Sequence, residues 1–228
     1  MSRRLFPIIR IILFLMLVFP LQGLHAQQSG PDGLKFLWAF GAVVGSPDDH
    51  ELIPIDKDTV LHTGDQLKIY FEPQSPCHIY LIYQSSQGHL TLLFPTDETD
   101  SKVSPNSKFF IPDAEMWFQL DAITGREKFH LIASAERLKD FENLYRSMAA
   151  TGTITRAESV ESVLSAIRRL KHRNRKLTAA AERPVRLGGN FRGTEQETSH
   201  LNRLDITRLA VKIEADEFYS RTFSIDHR

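Results

Sequence analysis

CHIYLIYQSSQGHLTLLFP, residues 77–95, is the stretch whose reading decides the fold. It reads as a β-hairpin. One arm is 78–84, the other 89–94, and Ser85-Ser86-Gln87-Gly88 lies between them. Gly88 is free to take the positive φ that hairpin turns need. The first arm carries Ile79, Tyr80, Ile82 and Tyr83, apolar on both faces, as expected of a central strand. The second arm alternates, which puts Leu90, Leu92 and Phe94 on one side. Pro95 ends it, because it has no N–H to offer a ladder.

Upstream, Arg3, Arg4 and Arg10 flank an apolar run over 11–19, broken by Pro20, with Ala26 as a small residue at a candidate cut. A basic start, a short apolar run and a small residue make a secretory signal peptide over 1–26. The alternative is an uncleaved inner-membrane anchor, although the run falls short of the roughly 20 residues of a spanning helix. Cleavage leaves 202 residues with 25 Lys and Arg against 28 Asp and Glu, a net charge of −3. Such a chain is long enough for a real core and has no bulk affinity for nucleic acid. The single cysteine, Cys77, excludes an intrachain disulfide, so packing must stabilise an exported chain. No span is expected after the signal.

The rest of the chain follows the hairpin's lead. Residues 27–33 read as a linker, and 34–44 as a first strand with Gly41 as a candidate bulge. Residues 52–60, interrupted by Pro54, make at most an edge strand. His62-Thr63-Gly64-Asp65 is a turn, and 66–71 alternates as a half-buried strand with Leu67, Ile69 and Phe71 on one face. Past Pro95, 96–106 is a polar loop, followed by strands at 108–111, 116–121 and 128–133. Short strands at this spacing argue for an antiparallel β-sandwich or a barrel-like domain.

The pattern then changes. Ser134 can cap a helix over 135–148, and Thr155 with Glu158 forms a capping box for a second helix ending near Thr178. Val160, Val163, Leu164, Ile167 and Leu170 give that helix an apolar side. Residues 179–199 read as a flexible loop, and strands return at 206–214 and 218–225. The expected object is a mainly β domain over 34–134 plus 205–228, carrying a two-helix, partly basic insertion over 135–204.

Several of these pieces form a pattern. Leu61-x-x-Gly64-Asp65-Gln66-Leu67, the hairpin from Cys77 with Tyr80, Tyr83, Gly88 and Leu92-Leu93-Phe94-Pro95, then Phe118-Gln119-Leu120-Asp121, Gly125-Arg126-Glu127 and Leu131-Ile132-Ala133-Ser134 stand in order. This resembles the bacterial domain-of-unknown-function family 4384 over about residues 60–135. The resemblance brings no activity, cofactor or catalytic residue. Members of that family are often exported or fused to signalling and peptidase modules, which implies an accessory or binding role.

Candidate chemistry is sparse. Cys77 and His78 are neighbours on a strand, so they point to opposite faces and cannot act as a nucleophile–base pair. His50, His62, His78, His89, His130, His172, His200 and His227 are scattered without zinc spacing. Asp48-Asp49 and Asp97, Glu98 and Asp100 lack a regular calcium loop. Gly64-Asp65 and Gly125-Arg126-Glu127 are explained as turns. The strongest local anomaly is basic: Arg168, Arg169, Lys171, Arg173, Arg175 and Lys176 place six positive charges within nine residues. At a helix C-terminus they suit the macrodipole, and they also offer a docking surface for an envelope protein or another anionic envelope component. No cofactor, metal or nucleic acid is expected. The expectation is an exported, periplasmic or extracellular binding module; the alternatives are an envelope hydrolase with an unrecognised site and a structural subunit joined by strand addition.

Overall fold

The computed structural model describes residues 33–46, 49–96, 100–149, 153–175, 181–184 and 205–228. The proposed signal peptide, most of the linker and all of 185–204 lie outside them. Among the described residues no helix is long and apolar enough to cross a membrane.

The chain forms two sheets packed face to face. In order the strands are β1 (Leu34–Ser46), β2 (Asp49–Pro54), β3 (Lys57–Leu61), β4 (Gln66–Pro73), β5 (Cys77–Gln84), β6 (Leu90–Phe94) and β7 (Lys102–Val103). Next come β8 (Phe109–Ile111), β9 (Phe118–Gln119), β10 (Gly125–Ser134), helix α1 (Lys139–Met148), β11 (Thr153–Ile154) and helix α2 (Ala157–Arg173). The chain finishes with β12 (Ala181–Pro184), a 3-10 turn over Ile206–Leu209, β13 (Val211–Ala215) and β14 (Phe218–His227). The first sheet runs β12-β13-β1-β4-β8, with β2 beside β1 and β9 beside β4; the second runs β11-β6-β5-β10-β14-β3, with β7 beside β5. This is the expected mainly β architecture, resolved as a sandwich. Among the described residues every pairing is antiparallel except β14 with β3, which is parallel.

Alternation along the strands fills the space between the sheets. Phe36, Trp38 and Phe40 of β1 meet Tyr219, Phe129 and Phe223 of the opposite sheet; the Phe40 and Phe129 ring centroids are 4.7 Å apart and edge to face. Such pairs add about 0.5–1.5 kcal/mol beyond the area they bury. The indole N–H of Trp38 has no acceptor among the described residues. Tyr80, Ile82 and Ile132 point the other way and are covered by Phe141 and Tyr145 of α1 and by Val163 and Ile167 of α2. The apolar stripe read on α2 is therefore its buried face.

Several details differ from expectation, each for a physical reason. The register of β6 on β5 slips at Leu93, so Leu90 and Leu92 face the helices while Phe94 enters the sandwich core. Gly41 is no bulge, since β1 runs in unbroken register through it. A Cβ there would stand 2.6 Å from Ile206 Cδ1 and 2.7 Å from Leu209 Cδ1, so the glycine makes room for the 3-10 turn. That turn occupies the start of the strand expected at 206–214 and covers the outer face of the first sheet. Tyr70 is therefore buried as fully as Leu67, and β4 is not half-exposed. Lys68, also buried, donates to Ala114 O at 2.6 Å and lies 4.7 Å from the Trp117 ring.

Pro54 does more than mark an edge. The chain leaves the first sheet there and re-enters in the second as β3. Gly125 opens β10, so Glu127 is a buried strand residue and not part of a turn. Helix α1 begins at Lys139, with Ser134 oxygen accepting from Glu136 N at 3.3 Å instead of capping it. The capping box does not form: Arg156 is the N-cap of α2 and makes no side-chain cap bond. That helix ends at Arg173, before the expected end near Thr178, which is outside the described residues. Within the expected loop 179–199, Ala181–Pro184 pairs with β13.

Candidate functional site

The motif residues of the hairpin region act in the fold. Gly64 has φ +96° and Gly88 φ +85°, the left-handed conformations that favour glycine. Asp65 closes its turn by accepting from His62 N at 2.8 Å. Strand β6 stops at Phe94, before Pro95. Cys77 faces the sandwich core, and burial pushes its thiol up to about 12. His78, on the other face, meets Ser101.

Tyr80 organises a polar clamp that holds α1 to the second sheet. Its hydroxyl donates to Glu142 Oε1 at 2.7 Å and accepts from Leu138 N at 3.0 Å, the residue just before the helix. Ser101 Oγ donates to the same carboxylate oxygen at 2.9 Å, and Arg137 Nε reaches Oε2 at 2.9 Å. Burial opposes ionisation of Glu142, but the bonds from Arg137, Tyr80 and Ser101 outweigh it and hold the carboxyl below its usual value. Serine, histidine and glutamate thus meet here, in the wrong order for nucleophilic catalysis. The carboxylate binds the serine, not the imidazole, and Ser101 is 1% exposed.

A second cluster joins residues far apart in sequence. His227 Nδ1 lies 3.3 Å from Glu127 Oε1, and its Nε2 lies 3.2 Å from Thr63 Oγ1. Tyr83 bonds the same Glu127; burial first, then this carboxylate, raises the pKa of its phenol. Hydroxyl, imidazole and acid stand here in the order of a catalytic relay. The backbone donors beside the hydroxyl are all engaged, however: Thr63 N with Arg228 O at 3.2 Å, Gly64 N with Leu120 O at 2.9 Å and Asp65 N with His62 O at 3.0 Å. None is free to stabilise an oxyanion. The geometry accounts for a lock between the Gly64 turn and β14. Separations of 100 and 164 residues leave no sequence signal for it.

The basic residues of α2 divide into different roles. Arg168 pairs with Glu161, about two turns back on the same helix. Lys171 turns inward, where Nζ donates to Thr222 Oγ1 of β14 at 2.6 Å, and burial lowers its pKa. Arg169 and Arg173, both exposed, line a cleft of about 590 Å³ between α1, α2 and the β10–α1 connection. Phe141, Leu144, Leu170 and Phe218 supply apolar lining, and Glu136, Asp140 and Glu217 also border it. Arg175 is exposed beyond the helix end, and Lys176 lies outside the described residues. Of the five described charges, Arg168 and Lys171 have partners within the fold, while Arg169 and Arg173 border the cleft. Among the described residues no cluster of His, Cys, Asp and Glu could hold a metal ion.

No curated protein and no solved structure matches this chain. Over residues 60–137, the segment that runs from the Gly64 turn through the hairpin to the end of β10 and leaves both helices outside, the chain is similar to a domain of unknown function, DUF4384.

Proposed function

We propose that the chain is an exported, non-catalytic binding module, periplasmic or extracellular, that contacts another cell-envelope component through the basic part of α2. The observation that carries this reading is the cleft in which Arg169 and Arg173 stand over an apolar lining. Concave, mostly preformed sites with a few placed polar groups are the usual form of a binding site. The pattern of 1–26 supports export.

Two other readings have less support. A hydrolase draws on the order of Thr63, His227 and Glu127, but the backbone N–H groups of Thr63, Gly64 and Asp65 are already engaged. A subunit joined by strand addition needs a long open edge. Here β12 ends at Pro184 and β2 at Pro54, and the edge of β6 is occupied by β11 and by the Tyr145 hydroxyl, which accepts from Leu92 N at 2.7 Å.

The test is cross-linking in cells that carry the full chain, comparing wild type with a R169E/R173E variant of equal abundance. A salt-sensitive partner captured by wild type and lost from the variant supports the module. Capture unaffected by the charge reversal, or an esterase activity abolished by Thr63→Val, overturns it.

A further inference from the structure

Resting on that reading, we infer that the cleft recognises a polypeptide segment in which an acidic side chain stands beside a large apolar one. Among the cations of this region, Arg137 is held by Glu142, Arg168 by Glu161 and Lys171 by Thr222. Arg169 and Arg173 have no hydrogen-bond or ion-pair partner among the described residues, and both border the cleft. They are four residues apart on α2, so they share one face of the helix and stand about 6 Å apart along its axis. Guanidinium groups match the planar carboxylate by two parallel N–H···O bonds, which an ammonium cannot reproduce. Beneath them, Phe141, Leu144, Leu170 and Phe218 offer apolar surface to an adjacent side chain.

The charge distribution favours a peptide over an anionic lipid surface. A membrane or polyanion is held by many exposed cations acting together. Here two of the six candidate cations are internally bonded, and Glu136, Asp140 and Glu217 border the same cleft. A broad anionic surface would meet those three carboxylates, whereas a single acidic side chain can approach the two arginines alone.

The experiment measures fluorescence anisotropy of a labelled octapeptide with one acidic residue beside a phenylalanine, Gly-Ser-Leu-Glu-Phe-Ser-Leu-Gly, with the full chain. The Glu→Gln peptide and phosphatidylglycerol vesicles are parallel probes. The expected result is saturable binding below about 1 mM, the affinity range of a small interface. Binding should weaken at least about tenfold, or about 1.4 kcal/mol, in R169A/R173A or with the Gln peptide, and should stay within about twofold in R168A. Thermal melting of each variant confirms that the fold is intact. Equal binding by R169A/R173A, or no peptide binding, overturns the inference. Vesicle binding lost in R169A/R173A with no peptide binding also overturns it, yet leaves the docking module standing. Failure of the module itself is read separately, in the cross-linking comparison.

Discussion

Acid should loosen this protein through His130. The imidazole is 7% exposed, between β5 and β14. Its Nδ1 lies 3.1 Å from Thr222 Oγ1 and its Nε2 lies 3.4 Å from Gln84 Oε1. Lys171 from α2 donates to the same Thr222 oxygen, so the threonine hydrogen is directed at Nδ1, and the neutral Nε2–H tautomer completes the chain. Burial first, then the charges of Lys171 and Lys128, depress the imidazole from 6.5 to about 4. A depressed base binds its proton more readily in the unfolded chain. It therefore withdraws stability as the pH falls from 6.5 towards 4, and withdraws nothing above that window. With these two values the loss at pH 5 relative to pH 7.5 is about 2 kcal/mol. At a urea slope of about 2 kcal/mol per molar, the midpoint moves by about 1 M. Urea unfolding followed by far-UV circular dichroism at pH 7.5 and pH 5 measures it in wild type and in His130→Gln, which does not titrate in this range. The substitution should shrink the acid-induced shift by about 1 M. An equal shift in both proteins would refute the reasoning and move the acid sensitivity to other groups.

Two further outcomes follow from buried groups. Tyr80→Phe removes the acceptor of Leu138 N and a donor to Glu142, and should cost about 1–3 kcal/mol. Amide exchange should quicken at 138–148 before it does in β10, and uniform protection would argue against the clamp. Cys77, 1% exposed with its thiol pushed up to about 12, should resist a thiol reagent at pH 8 in the folded chain and react fully in denaturant. Prompt labelling without denaturant would contradict its place in the core.

Much of the local structure was legible in the sequence, the capping box at Thr155 and Glu158 excepted. The hairpin at 77–95, the Gly64-Asp65 turn and the apolar face of α2 follow from neighbours within a few residues. What escaped depends on partners far along the chain. Lys68 and Tyr70 read as an exposed face because nothing nearby announces that Ile206 and Ala210 will cover Tyr70. The slip at Leu93 is set by pairing with β5, and the start of α1 by its attachment to Tyr80, not by Ser134. For the candidate site, the basic run was visible, but its division was not. Glu161 and Thr222 hold two of the charges, and the helix face decides which of the others border the cleft.

The pairing of β1 with β13 sets a timetable. Phe36 lies opposite Ile213, and β14 must also be present before the space facing Trp38 and Phe40 is filled. At 5–20 residues per second of synthesis, the wait between these segments is roughly ten to thirty seconds. Through that interval one of the most apolar segments of the described chain has an open flank and half a core. Contacts of such long range make folding slow and leave the nascent chain prone to association. A holding chaperone that engages residues 34–44 would guard the chain during this delay.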